Sequence, residues 1–346
     1  MKLVNPGKIP AVWVSLIPFA FLAATLSIVI KIFGGSALDG ASQVSLLLAS
    51  GVVVAISMIF YKVKWEDFEN GIMDNIRSVS SAILILFLIG AVAGTWMASG
   101  IVPMMIYYGM KIITPKIFLF ATCAICALIS VMTGSSWTTI ATVGVALIGI
   151  GTAHGYSAGW TAGAIISGAY FGDKISPLSD TTTLASSAAG TPLFTHIRYM
   201  LLTTIPSFVI ALIIFLAVSL THETSSQSTI AEFAGDLASC FNINLWLLLV
   251  PVITGVLIVR KMPAILTLFV AILLAAAAAL IFQPHIVWHI ASGEPLSAYR
   301  HLSFMDGFKG LMLTTYGSTG ISVGNPALDR LIATNGITGM LPTVFL

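Results

Sequence analysis

Residues Gly172–Gly190 read GDKISPLSDTTTLASSAAG, two carboxylates and a run of hydroxyls inside a very apolar chain. Between Ile117 and His222 only four residues are Asp, Glu, Lys or Arg: Asp173, Lys174, Asp180 and Arg198. Three of these four lie in the quoted stretch. Pro177 has no backbone donor and disfavours helix at Ser176. The segment is therefore expected to unwind around Ser176–Leu178. Unwinding frees backbone carbonyls, tolerable at membrane depth only where they line a cavity or are buried in protein. Freed carbonyls, the carboxylates of Asp173 and Asp180, and the hydroxyls of Ser176, Ser179, Thr181 and Thr182 are all hard oxygen ligands. Such a set suits Na+, whereas softer metals take thiolate or imidazole. Burial disfavours a carboxylate's charged form, so the group holds a proton or a metal cation in competition. That competition is the minimal chemistry of proton-coupled cation exchange. Asp180 is the first choice for the ion- and metal-binding carboxylate, because the proline break and the hydroxyls surround it. Asp173 is the second, since it can pair with Lys174. The bland reading is a short aqueous loop with a surface ion pair. Such a loop does not need the small-residue run AGAIISGAYFG leading in, nor the hydroxyls leading out.

A second polar island is TGSSWTTIAT, residues 133–142. Gly134 can break a helix there, and Ser135, Ser136, Thr138 and Thr139 follow it. The pattern suits the tip of a re-entrant hairpin or a broken helix, whose free N–H groups could meet a substrate carboxylate. The alternative is a tight helix contact made by small residues. A third island, TTYGSTGISVGNPALDR at 314–330, breaks at Asn325-Pro326 and adds Asn325 to the candidate substrate-binding residues. Cys123 and Cys126 form CAIC without a second ligand pair, so they read as small packing residues rather than a metal site. Ser135 or Ser136 with His154 would suit a hydrolase, but no GxSxG-type elbow is present. His285, His289 and His301 fall in a loop-like stretch. No cofactor is called for; Na+ and H+ are cargo.

These residues must be positioned by membrane-spanning helices. Of 346 residues, 58% are hydrophobic and 8% are charged, and the mean hydropathy is +1.02. Soluble domains carry about 25% charged residues. The composition indicates an all-α polytopic membrane protein. A net charge of +2 argues against nucleic-acid binding. Apolar runs long enough to span cover about 11–32, 42–61, 79–98, 117–133, 199–219, 243–259 and 264–282. The region 134–171 is broken by Gly, Ser and Thr and is expected to hold one or two shorter helices. Lys2, Lys8, Lys62, Lys64 and Arg77 put the N-terminus and the loop after the second span in the cytoplasm. The stretch 220–242 has no Lys or Arg and is expected to be an external loop, as is 283–303.

The chain also repeats itself at a shift of 236 residues. Phe68 falls on Phe304, Gly71 on Gly307, Gly100-Ile101 on Gly336-Ile337, and Met104 on Met340. The copies start on opposite sides of the membrane, the inverted-repeat architecture of many secondary transporters. This divides the chain into N-terminal helices (1–62), a first transport repeat (63–220), an external loop with connecting helices (221–303) and the start of a second repeat (304–346). By the repeat's length the second copy is expected to be incomplete, lacking about 110 residues.

The pieces GSSWTT at 134–139, SGAYFGDKISPLSDTT at 167–182 and HIRYMLLTTIP at 196–206 resemble the Na+/H+ antiporter NhaC family. GIVPMMIYYGM at 100–110 and STGISVGNPALDRLIATNGI at 318–337 are also similar to its members. The resemblance implies an inverted-repeat secondary transporter with re-entrant hairpins and broken helices, often a homodimer in the cell membrane. It implies either simple Na+/H+ exchange or coupled exchange of small organic acids such as malate and lactate. The chain departs from the commoner family pattern in SDTTTLA, where Thr183 stands in place of Asn. The expected function is Na+-for-H+ antiport without enzymatic activity. The alternatives are an organic-anion exchanger, an amino acid transporter and, outside the inverted-repeat logic, a passive channel.

Overall fold

The computed structural model describes residues 10–177, 179–222, 227–260, 262–317 and 334–341. Among the described residues there is no strand. Among the described residues six helices are long and apolar enough to cross a membrane, and up to eight if each of two bent pairs counts as one span. The protein is an all-α polytopic membrane protein.

The chain forms two compact units, Met1–Leu86 with Met340–Leu346, and Phe87–Gly339. In the first, α1 (Val12–Phe33) and α2 (Ala41–Tyr61) pair through a 3-10 turn at Gly34–Asp39. No residue of α1 is buried, and Trp13 and Ile32 stand fully out. A helix apolar all round with no buried face suits lipid as its solvent. Lys62 ends α2 in the left-handed conformation.

The second unit begins within α3 (Trp65–Ala98), which bends by 70° at Ser99–Gly100 into α4 (Ile101–Ile112). Gly100 has φ +79°, and a Cβ there would lie 2.3 Å from the Gln283 amide nitrogen. That buried amide in turn donates to the Asn242 carbonyl at 2.9 Å and accepts from the Asn242 N–H at 3.0 Å. Gly336, the repeat partner of Gly100, also has positive φ, +51°.

Next comes a helical hairpin. Its first arm is α5 (Phe118–Thr133), ended by Gly134 at φ +68°. Its second is α6 (Ser136–Thr139), a π-helical turn at Ile140–Gly144 and α7 (Val145–Ala153). The base is tied where Tyr156 donates its hydroxyl to the Pro115 carbonyl at 2.9 Å and His154 Nε2 lies 3.1 Å from the Ile113 carbonyl. Beside it run α8 (Ala158–Ile175), a break, α9 (Asp180–Ala188) and the long α10 (Leu193–Thr221). Then follow α11 (Gln227–Cys240), an 89° bend, α12 (Leu249–Val259), α13 (Ala264–Phe282), α14 (Pro284–Ser292) and α15 (Phe304–Tyr316).

The stretches expected to be external loops are partly helical. In α11 and the residue after it, Phe233, Leu237 and Phe241 are buried at i, i+4 and i+8, the stripe of a helix packed on one face. In α14, Ile286, Val287 and Ile290, at i, i+1 and i+4, are also buried on one face. The missing Lys and Arg of 220–242 is a statement about charge, and it conceals this apolar period. Glu223, at the start of that stretch, lies outside the described residues.

The hairpin and α10 give a depth scale. The Leu119 N–H donates to Ser219 Oγ at 3.1 Å, so α5 starts beside the end of α10. At 1.5 Å per residue, Thr133 lies ~21 Å along, whereas α10 runs back ~39 Å from Ser219 to Leu193. The hairpin tip therefore turns at mid-depth of the unit rather than at its far end.

Candidate functional site

The tip of this hairpin meets the break between α8 and α9. The two helices are brought together by small residues. Gly168 and Gly172 form a GxxxG pair on α8, and an added Cβ would lie 2.1 Å from the Cys123 carbonyl oxygen or 2.5 Å from that of Ala127. Such spacing lets two backbones approach closely in a membrane. Cys123 and Cys126 are free, fully buried thiols against this seam, which is a packing role. Ser130 Oγ closes it by donating to the Ala169 carbonyl at 2.5 Å.

The helix ends at Ile175, and Ser176 is extended at φ −72°, ψ 128°, as a residue before proline prefers. Ser176 is buried, and its hydroxyl donates to the Val131 carbonyl of the hairpin at 2.7 Å. The break is thus fastened to the tip.

Asp173, one turn before the break, receives hydroxyls from both sides. Ser136 Oγ, across the tip, donates to Oδ2 at 2.8 Å. Ser179 Oγ, past the break, donates to Oδ1 at 2.6 Å. Thr181 Oγ1 lies 2.8 Å from Ser179 Oγ. Thr182 Oγ1 reaches the Asp173 and Lys174 carbonyls at 3.3 and 3.1 Å, closing the unwound turn. Ser136, Ser179 and Thr182 are buried, Asp173 is half-buried, and Lys174 is exposed. The expected Asp173–Lys174 pairing is replaced by these two hydroxyl contacts. Each carboxylate oxygen keeps lone pairs beyond the one its hydroxyl uses.

The remaining candidates divide. Ser135 caps α6, accepting from the Thr138 N–H at 3.2 Å and from the Thr138 hydroxyl at 3.0 Å. Thr139 Oγ1 donates to the Ser135 carbonyl at 3.0 Å. These three shape the tip. Ser136, expected to meet substrate, donates its hydroxyl to Asp173. Asp180 opens α9, but its side chain lies outside the described residues, as do Asn325 and the whole 318–333 segment. His154 stands at the hairpin base, ~27 Å along the arm from Ser136 at 1.5 Å per residue. No Ser–His nucleophile arises from that geometry.

Sequence reasoning missed the Gly168/Gly172 seam, Ser130 and the Val131 carbonyl. The GxxxG spacing was a readable signal for the first. The other two depend on which turn of α5 faces the break. Among the described residues no three His, Cys, Asp or Glu side chains cluster. Among the described residues, the Asp173 carboxylate amid hydroxyls offers hard oxygens, a set that suits a monovalent cation or a proton.

The model of the Na+/H+ antiporter family matches residues 168–294, which include this break. The chain is 36% identical to the Na+/H+ antiporter NhaC of Alkalihalophilus pseudofirmus over 295 residues, 85% of this chain and 60% of that protein. It is 37% identical over 282 residues to the malate-2H+/Na+-lactate antiporter of Bacillus subtilis, 81% of this chain and 56% of that protein. It is 31% identical over 341 residues to the arginine/ornithine antiporter ArcD of Halobacterium salinarum, 97% of this chain and 65% of that protein. The chain thus spans about six tenths of the length of the curated relatives it matches. No solved structure matches it. By these matches the chain is similar, over most of its length, to members of the Na+/H+ antiporter family.

Proposed function

We propose that this chain carries part of the ion path of a secondary antiporter exchanging Na+ for H+ across the cell membrane. The observation that carries this reading is Asp173, its two oxygens held by Ser136 of the hairpin tip and Ser179 of the helix break. A carboxylate at membrane depth is functional by default. Here it sits where two interrupted helices meet, the usual place of a transporter's ion site. Na+ would take Asp173 oxygens with the hydroxyl oxygens of Ser136, Ser179 and Thr181. A proton on Asp173 would occupy the same lone pairs, so the two cargoes exclude each other. Asp180, at the start of α9, is the second carboxylate of the proposed path.

The test is Na+-dependent proton movement in proteoliposomes made with the full-length gene product. Asp173→Asn is expected to remain in the membrane and to lose pH-gradient-driven Na+ uptake. Full activity in that variant would overturn the role of Asp173. The same vesicles decide a second reading, favoured by similarity to the malate/lactate and arginine/ornithine antiporters. If malate, lactate or arginine is required for Na+ flux, the protein is an organic-solute exchanger. If flux is indifferent to them, it is a simple Na+/H+ antiporter.

A further inference from the structure

The end of α8 carries two backbone carbonyls that lose their helical donors. The carbonyl of Asp173 would take the N–H of residue 177, but Pro177 has none. The helix ends at Ile175, before the donor for the Lys174 carbonyl is reached. One side chain serves both. Thr182 Oγ1 donates to the Asp173 carbonyl at 3.3 Å and to the Lys174 carbonyl at 3.1 Å. The Asp173 carbonyl also takes a long bond from the Ser176 N–H at 3.3 Å. Thr182 is 2% exposed, so this cap is shielded from water. The same short stretch past the break holds the side chain of Asp173, through Ser179 Oγ on Oδ1 at 2.6 Å. Asp173 therefore meets residues 179–182 with both its side-chain and its main-chain oxygens, and the main-chain oxygen is given over to Thr182. Whether carbonyls join a ligand set bears on which monovalent cation fits. In K+ filters backbone carbonyls replace the hydration shell, and their number and field strength bear on the choice between K+ and Na+. A carbonyl that already accepts a proton presents a weaker field to a cation.

We infer that Thr182 determines the cation specificity of the Asp173 site, by keeping the Asp173 and Lys174 carbonyls out of the coordination shell so that the site takes Na+ and refuses the larger K+. This rests on the reading of Asp173 as the ion-carrying carboxylate. With the cap in place the cation has the Asp173 carboxylate and the hydroxyls of Ser136, Ser179 and Thr181, a small and compact set. Without it, two strong carbonyl oxygens are released beside that set, and the shell grows toward what K+ needs.

The experiment compares pH-gradient-driven uptake of Na+ and of K+ in proteoliposomes of the full-length gene product, for the wild type, Thr182→Val, Thr182→Ser and Asp173→Asn. Thr182→Val keeps the shape of the side chain and loses its hydroxyl. It should raise the K+-to-Na+ ratio of initial rates roughly five-fold or more, through a gain in K+ uptake. Thr182→Ser restores the hydroxyl and should bring the ratio back to within about two-fold of the wild type. A purely structural role would lower both fluxes together and leave the ratio where it was, and that result overturns the inference. Loss of Na+ uptake with no gain of K+ uptake also overturns it, by making Thr182 a ligand. If Thr182→Val does not reach the membrane, Thr182→Ala, which lacks the hydroxyl and is less bulky, is read in its place. Asp173→Asn separates the two layers of the argument. Normal Na+ uptake in that variant removes the site and this inference with it. An inactive Asp173→Asn beside a Thr182→Val with the wild-type ratio leaves the site standing and removes the role of Thr182.

Discussion

Asp173 and Ser136 stand 37 positions apart in sequence and 2.8 Å apart in space. A hydrogen bond to a charged acceptor contributes about 1.5–3 kcal/mol, and 1.4 kcal/mol is a factor of ten. Ser136→Ala should therefore raise the Na+ concentration for half-maximal exchange by roughly ten-fold or more, because the carboxylate loses the group that aims Oδ2. Ser136→Thr keeps the hydroxyl and should recover most of it. Initial-rate fluxes across a Na+ series measure both, and an Ala variant with unchanged Na+ dependence would remove Ser136 from the site. Much of this was legible in the residues. A carboxylate among hydroxyls, next to a proline in an apolar chain, is a chemical statement that needs no coordinates. In sequence, proximity to the proline break favours Asp180 over Asp173. Helix geometry adds that Asp173, three residues before Ser176, projects toward the break from the α8 side. Which of them meets Ser136 depends on how α8 is rotated against α5, and that rotation is set by glycines elsewhere.

At the scale of elements, the site depends on how closely α5 and α8 approach. Gly168→Ala places a methyl 2.1 Å from a backbone oxygen of α5, so the helices must separate. Overpacking of this kind costs about 1–3 kcal/mol. Separation also loosens the Ser130–Ala169 and Ser176–Val131 ties that fasten the break to the tip. Gly168→Ala should lower the unfolding temperature and exchange together. Gly159→Ala on the same helix, where a Cβ meets nothing within 4 Å, should leave both nearly unchanged. Thermal unfolding in detergent with flux in vesicles makes the comparison; equal behaviour of the two variants would mean that the seam does not position the site. Sequence reading located the breaks at Gly134 and Pro177 because glycine and proline act locally. It took 220–242 and 283–303 as loops because it weighed charge over period. The buried stripe Phe233, Leu237, Phe241 is helical spacing in a segment too polar to look like a span.

At the scale of the molecule, the sidedness of the membrane decides which mouth sees protons from which compartment. We propose a cytoplasmic N-terminus from Lys62, Lys64 and Arg77 around the start of α3, against the absence of Lys and Arg from 220–242. The connectivity of the second unit supports a consequence. The hairpin base, with Ile113, Pro115, His154 and Tyr156, lies beside the end of α10 through the Leu119–Ser219 bond. If α10 ends outside, the hairpin enters from and returns to the outside, and α9 points toward the cytoplasm. In a background with Cys123, Cys126 and Cys240 replaced by Ala or Ser, two single-cysteine variants decide this. Asp236→Cys, on α11 after α10, should react in intact cells with a membrane-impermeant maleimide. Glu69→Cys, near the start of α3, should react only after permeabilisation. The reverse pattern would invert the whole molecule. Asp173 would keep its partners, but the hairpin would open its base to the cytoplasm, and the Na+ and H+ gradients would be read from opposite mouths.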